Sequence, residues 1–171
     1  MANQEHVAKI KKGADEWNKW REENPGVKPD LAWANLVGTD LTGINLEGAN
    51  LSSADLSGVD MRNVNLRNAD LRSARLFSAN VQSADLSGAD LRGARVNGAD
   101  LTGAKLSGAD LTGANFYDVV LFRADLRGTD LSGVEGLNQQ QLEKTTGDAS
   151  TRLPAGMRRP ELWGTDELAK S

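Results

Sequence analysis

Apolar residues recur at every fifth position from Leu31 to Leu131 without a slip in phase. All 21 positions of this series are apolar: 17 are Leu, and the others are Met61, Val81, Val96 and Phe116. Two residues before each stands Ala in 14 of 21 units, and one residue before stands Asp (11 times) or Asn (6 times). Two residues after stands Gly (12), Ser (4) or Asn (2). The unit reads Ala-Asp-Leu-x-Gly, as in Ala89-Asp90-Leu91-Arg92-Gly93.

Five matches neither common secondary-structure period. An α-helix advances about 100° per residue, so successive leucines would lie about 140° apart and form no stripe. On one continuous strand an odd step sends successive leucines to opposite faces. A short extended segment followed by a corner, repeated every five residues, keeps every leucine on one side. Gly, Ser and Asn fit the corner because Gly and Asn adopt turn conformations cheaply. Ala, two residues from Leu on the same pleat, also faces inward, while Asp or Asn and the residue after Leu face outward. Such coils bury their apolar side only by stacking, which is the mark of a solenoid. The corner argument alone allows three, four or five sides per turn.

The repeated unit resembles the motif of the pentapeptide-repeat family, (A)(D/N)LXX, from Pro29 to about Glu135. The resemblance implies an all-β solenoid, a right-handed quadrilateral β-helix with four pentapeptides per coil. The 21 repeats then make about five coils, roughly 25 Å tall at strand spacing. Residues twenty apart should stack, which places the large Phe116 over the small Val96 and Val96 over Leu76.

The flanks lie outside this phase and read as caps, giving the division 1–28, 29–135 and 136–171. An uncovered strand edge at either end would invite further pairing. Val7, Ile10, Ala14 and Trp17 follow a helical stripe, with Trp20 one step on, and Asn24-Pro25-Gly26 ends it. The tryptophans are expected to cover the first coil near Trp33. The phase breaks at Glu135-Gly136-Leu137. Asn138 is then an expected N-cap with Gln141 three residues on, Leu137 and Leu142 forming a hydrophobic staple. A short helix to about Lys144, closed by Gly147, is expected to give way to an irregular tail carrying Pro154, Pro160 and Trp163.

Net charge is −4 over 171 residues. The repeat span carries −5, with 14 acidic and 9 basic residues. An acidic wall argues against direct nucleic-acid binding. There is no Cys, so no disulfide framework and no thiolate metal site exists. The N-terminus lacks the apolar core of a secretory signal, and no stretch approaches the length of a membrane span. A cytoplasmic protein is expected, and the family resemblance suggests a bacterial one.

No catalytic residues, metal ligands or cofactor are expected. The single His, His6, lies in the N-terminal flank. The glycines are corners and never form a phosphate-loop spacing. Two departures from the repeat remain as candidate interaction patches. Arg72, Arg75, Arg92 and Arg95 should gather around one corner edge at mid-height, as an anion or acidic-partner site or in salt pairs with Asp70 and Asp90. Tyr117, Val120 and Phe122 should face outward on adjacent upper walls, covered by the tail through Leu153 or Trp163, or free for self-association or a partner.

These features point to a non-catalytic protein whose rigid β-helical surface binds another protein, with homodimerisation through the C-terminal coils as one arrangement. The alternative comes from the resemblance: some family members mimic B-form DNA and modulate DNA gyrase. Those members are longer, more acidic dimers that often carry interrupting loops. This chain is short, mildly acidic and uninterrupted, and carries arginines on its wall.

Overall fold

The structure is a computed structural model describing residues 1–164; residues 165–171, the end of the expected tail, lie outside the described residues. Its organising contact is a parallel backbone bridge between residues twenty apart. Asp30 bridges Asn50, Asn35 bridges Asp55, Asp40 bridges Asp60 and Asn45 bridges Asn65, and the same step repeats up the chain. Twenty residues at five per side make a four-sided turn. The first side carries Asp30, the second Asn35, the third Asp40 and the fourth Asn45, each continuing upward in steps of twenty.

Each rung is fixed by hydrogen bonds to its neighbours. The Leu71 N–H donates to the Asp90 carbonyl above (2.7 Å), and the Asp70 N–H donates to the Ala49 carbonyl below (2.9 Å). At each corner the bond closes locally: the Ala74 N–H donates to the Leu71 carbonyl at 3.0 Å. The second central residue of these turns has positive φ, +56° at Ser73 and +65° at Gly93, the sign pattern of a type II turn. This explains the glycine preference, and it makes Trp33 (φ 66°), Asp118 (58°) and Arg123 (57°) unusual occupants.

The interior is one continuous column of buried Leu and Ala, with Phe116 fully enclosed. Close packing needs no interior polar atoms until the top. There Thr129, Thr145 and Thr151 are buried, and their hydroxyls donate to the carbonyls of Leu106, Leu142 and Leu126. These three buried hydroxyls are thereby satisfied.

The N-terminal flank forms two helices rather than the single stripe expected. Helix α1 (Gln4–Ile10) and helix α2 (Ala14–Glu23) are separated by Gly13, whose φ of 101° no helix can contain. Asn3 caps α1 through its side chain. Ile10 and Trp17 are fully buried against the coil. The helices satisfy the first coil's open edge with side chains in place of a strand. Trp17 Nε1 donates to the Asn45 carbonyl (2.7 Å), and Asn18 accepts from the Asn45 N–H (2.8 Å) while donating to Gly43. Arg21 donates to the carbonyls of Val27 and Glu47. His6 Nδ1 accepts from the Asp30 N–H at 3.0 Å. These contacts fall on the first and fourth sides. Trp33, on the corner leading to the second side, stays 68% exposed, so the tryptophans do not cover it.

Helix α3 (Gln139–Leu142) follows the phase break with the expected capping box: Asn138 accepts from the Gln141 N–H, and Gln141 accepts from the Asn138 N–H. The chain beyond it first re-enters the coil, with Thr146 bridging Asp125 and Arg152 bridging Asp130, and only then, over the described residues 153–164, runs as the irregular tail expected. The steps are now twenty-one and twenty-two residues: one extra residue enters between Glu135 and Thr146, the stretch that holds α3, and a second between Thr146 and Arg152. By register Gly147 takes the place of a core leucine, and the Trp163 ring lies against it, close enough to exclude a side chain there. Trp163 Nε1 donates to the Thr145 carbonyl (3.1 Å), which fixes the ring over the top of the column. No helix among the described residues is long and apolar enough to cross a membrane.

Candidate interaction surface

The outward Asp and Asn are structural before they are electrostatic. Their Oδ1 accepts the backbone N–H two residues on: Asp70 from Arg72 (3.1 Å), Asp90 from Arg92 (3.2 Å), Asn115 from Tyr117 (3.1 Å). This Asx turn fixes each corner and is the physical reason for Asp or Asn before Leu. Sequence reasoning placed these side chains outward but did not show this bond. Arg75, Arg95, Lys105 and Val120 stand where that cap is absent.

Arg72 and Arg92 interleave the carboxylates of the first side. Arg72 contacts Asp70 (2.7 Å) and Asp90 (3.7 Å), and Arg92 contacts Asp90 (2.6 Å) and Asp110 (3.6 Å). Hydrogen bonds from Arg72 and Arg92 hold the carboxyls of Asp70 and Asp90 below the usual range. The arrangement is a ladder of alternating charge. Its half-exposed pairs each contribute little to stability.

Arg75 and Arg95 occupy adjacent rungs of the second side and bridge each other through the backbone. Arg75 reaches down to Asp55 at 3.2 Å. Arg95 is exposed and has no carboxylate partner among the described residues. The four arginines therefore separate into a neutralised pair, a singly paired residue and an unpaired one. Like charges directly opposite on neighbouring strands are unfavourable, so the second side keeps a small electrostatic cost that the first has eliminated.

Tyr117, Val120 and Phe122 are not covered by the tail: they stay 56%, 46% and 43% exposed. Trp163, expected over them, turns instead onto Gly147 and Thr145. Gly136 approaches the Tyr117 ring, and a Cβ there would come within 2.5 Å of it. Arg123 and Lys144 lie over the Phe122 ring at 5.2 and 5.9 Å. Between this wall and α3 runs a groove of about 410 Å³ lined by Val120, Phe122, Gln141 and Lys144. The sequence pointed to the exposed residues but not to the groove, which exists because α3 replaces a rung. Gln141 fills the gap from inside, donating to the carbonyls of Phe116 and Val119.

Comparison with curated proteins found no match. Among solved structures, a pentapeptide repeat protein from the cyanobacterium Cyanothece 51142 is 32% identical, over 68% of this chain and 69% of that one, with a TM-score of 0.35. A pentapeptide repeat protein of the Arabidopsis thaliana thylakoid lumen is 27% identical, over 77% and 88%, with a TM-score of 0.40. QnrB1, a plasmid-mediated fluoroquinolone resistance protein, is 23% identical, over 71% and 75%, with a TM-score of 0.44. None of these indicates a catalytic family. The family profile described as Pentapeptide repeats matches in overlapping segments, 30–68, 54–93, 69–108 and 99–134, which together span residues 30–134, more than half of the chain. On that match, and on the five-residue sides that produce it, the chain belongs to the pentapeptide-repeat family.

Proposed function

We propose that this chain is a non-catalytic protein that presents a right-handed β-helical wall of about five coils, capped by residues 1–28 and 136–171, for binding another protein. One observation supports this reading most: on a wall whose polar side chains pair with one another, the second and third sides leave Arg95, Tyr117, Val120 and Phe122 uncompensated. Exposed aromatic and Arg side chains are the groups that dominate protein interfaces. A rung geometry fixed by backbone bridges and Asx turns presents them with little ordering cost on binding.

Affinity capture from native cytosol tests the reading, using the intact chain beside a variant with Arg72, Arg75, Arg92 and Arg95 reversed to Glu and a second with Val120→Ser and Phe122→Ser. A partner retained by the intact chain and lost by either variant is the expected result; equal retention by all three overturns it. Supercoiling by DNA gyrase is expected to be unchanged by micromolar protein. Inhibition of supercoiling, or protection from a quinolone, would favour the gyrase-directed reading. That reading has less support here, because arginines interleave the acidic rows.

A further inference from the structure

The second side differs from the other three in the residue that follows each core position. Going up the rungs it reads Val37, Ser57, Phe77, Asn97, Tyr117. Large apolar groups alternate with small polar ones, two rungs apart. Elsewhere the same position holds only Ala, Ser, Thr, Glu, Gln or Arg, apart from Phe122. Val37 (53%) and Tyr117 are well exposed, and Phe77 is half-buried. The polar residues between them are turned to their own wall: the Ser57 hydroxyl donates to Asp55 (2.7 Å) and the Asn97 amide to Asn115 (2.7 Å). The result is a row of three apolar ridges with two recesses between them, beside the unpaired Arg95.

Rungs are about 4.8 Å apart, so both ridges and recesses repeat at about 10 Å along the coil axis. An extended strand repeats its facing side chains at about 6.6 Å and fits that spacing poorly. An α-helix advances about 10.5 Å in seven residues. We propose that the second side is a docking surface for an amphipathic α-helix of a partner protein. The helix lies along the coil axis with apolar residues at seven-residue spacing seated at Ser57 and Asn97, and an acidic residue paired with Arg95. The charge assignment follows from Arg95, which shares a rung with the Asn97 recess, whereas Arg75 is already engaged by Asp55. This rests on the protein-binding reading above and specifies the kind of partner.

The test uses a fluorescein-labelled synthetic helix of about 21 residues with Leu at every seventh position and Glu four residues after each. A control peptide of equal composition carries Leu at every fifth position, which scatters it around the helix. Fluorescence anisotropy with the full chain is expected to show saturable binding of the first peptide and at least about tenfold weaker binding of the control. Arg95→Glu and Tyr117→Ser, both at exposed positions, should each weaken the first peptide about tenfold or more while circular dichroism stays unchanged and Tm does not fall. Equal binding of both peptides, no saturation, or undiminished binding by the two variants overturns the proposal. So does concentration-dependent dimerisation in sedimentation that Tyr117→Ser abolishes, since a second copy then occupies the side. If the peptide fails while captured partners still depend on the arginines, the helical form falls and the wider reading stands.

Discussion

A single residue in this fold is judged by its place among five. The corner position demands positive φ, which Gly reaches freely and a bulky side chain does not. Trp33 holds that conformation at φ 66° with most of its surface in water, so the strain is offset by little burial. Left-handed backbone costs a non-glycine residue about 1–2 kcal/mol, and the entropy lost by fixing Gly returns about half of that. Trp33→Gly is therefore expected to stabilise the protein by about 0.5–1 kcal/mol, read as a rise in Tm. A fall in Tm would show that the indole makes contacts worth more than the strain. Asp and Asn before Leu show the converse, a residue type chosen because one oxygen closes the next turn.

At the scale of elements, the coil was legible in the sequence because burial repeats with the chain's own phase. Leu91 and Ala89 face inward at every unit, and no tertiary partner is needed to say so. The same arithmetic of twenty places Arg75 beside Arg95. What the sequence did not show is which arginine keeps a carboxylate, because Arg75 reaches back a full turn to Asp55 while Arg72 bonds its own Asp70. Of the caps, the N-terminal helical stripe and the Asn138–Gln141 capping box were legible. The division of that stripe at Gly13, and the re-entry of the chain after α3, depend on what the first and last coils leave unpaired. The top closure shows this dependence. Gly147 leaves space where a core leucine would stand, and Trp163 fills it from sixteen residues away in the chain. Gly147→Ala is expected to displace the ring and lower stability by about 1–3 kcal/mol, with the Trp fluorescence shifting toward that of an exposed indole. An unchanged Tm and spectrum would place the ring elsewhere.

The whole molecule carries its charge as a framework of hydrogen-bonded carboxylates. Arg72 holds Asp70 below the ordinary carboxyl range, Arg92 does so for Asp90 and Arg127 for Asp125. Asp148 is lowered to about 2 by the Ser150 hydroxyl and by backbone N–H groups of Gly128, Ser150 and Thr151. The unfolded chain, with Asp near 3.9, binds more protons than the native one between those values. The stabilisation is therefore complete above about pH 4 and is lost as pH falls toward about 2, and Tm should decline across that window. A Tm flat from pH 5 to pH 2 would mean that the carboxylates contribute nothing to folding.

The register of twenty has a consequence for how such a wall can change over generations. Duplicating twenty residues would raise every later side chain by one rung and leave it on its own side, preserving a binding surface while lengthening it. Duplicating five would turn the rest of the wall by a quarter and bring a different side to the partner. Tandem copying thus edits this molecule in discrete steps of height or of heading. A row such as Val37, Phe77 and Tyr117, spaced by two whole turns, is what copying forty residues at a time would leave.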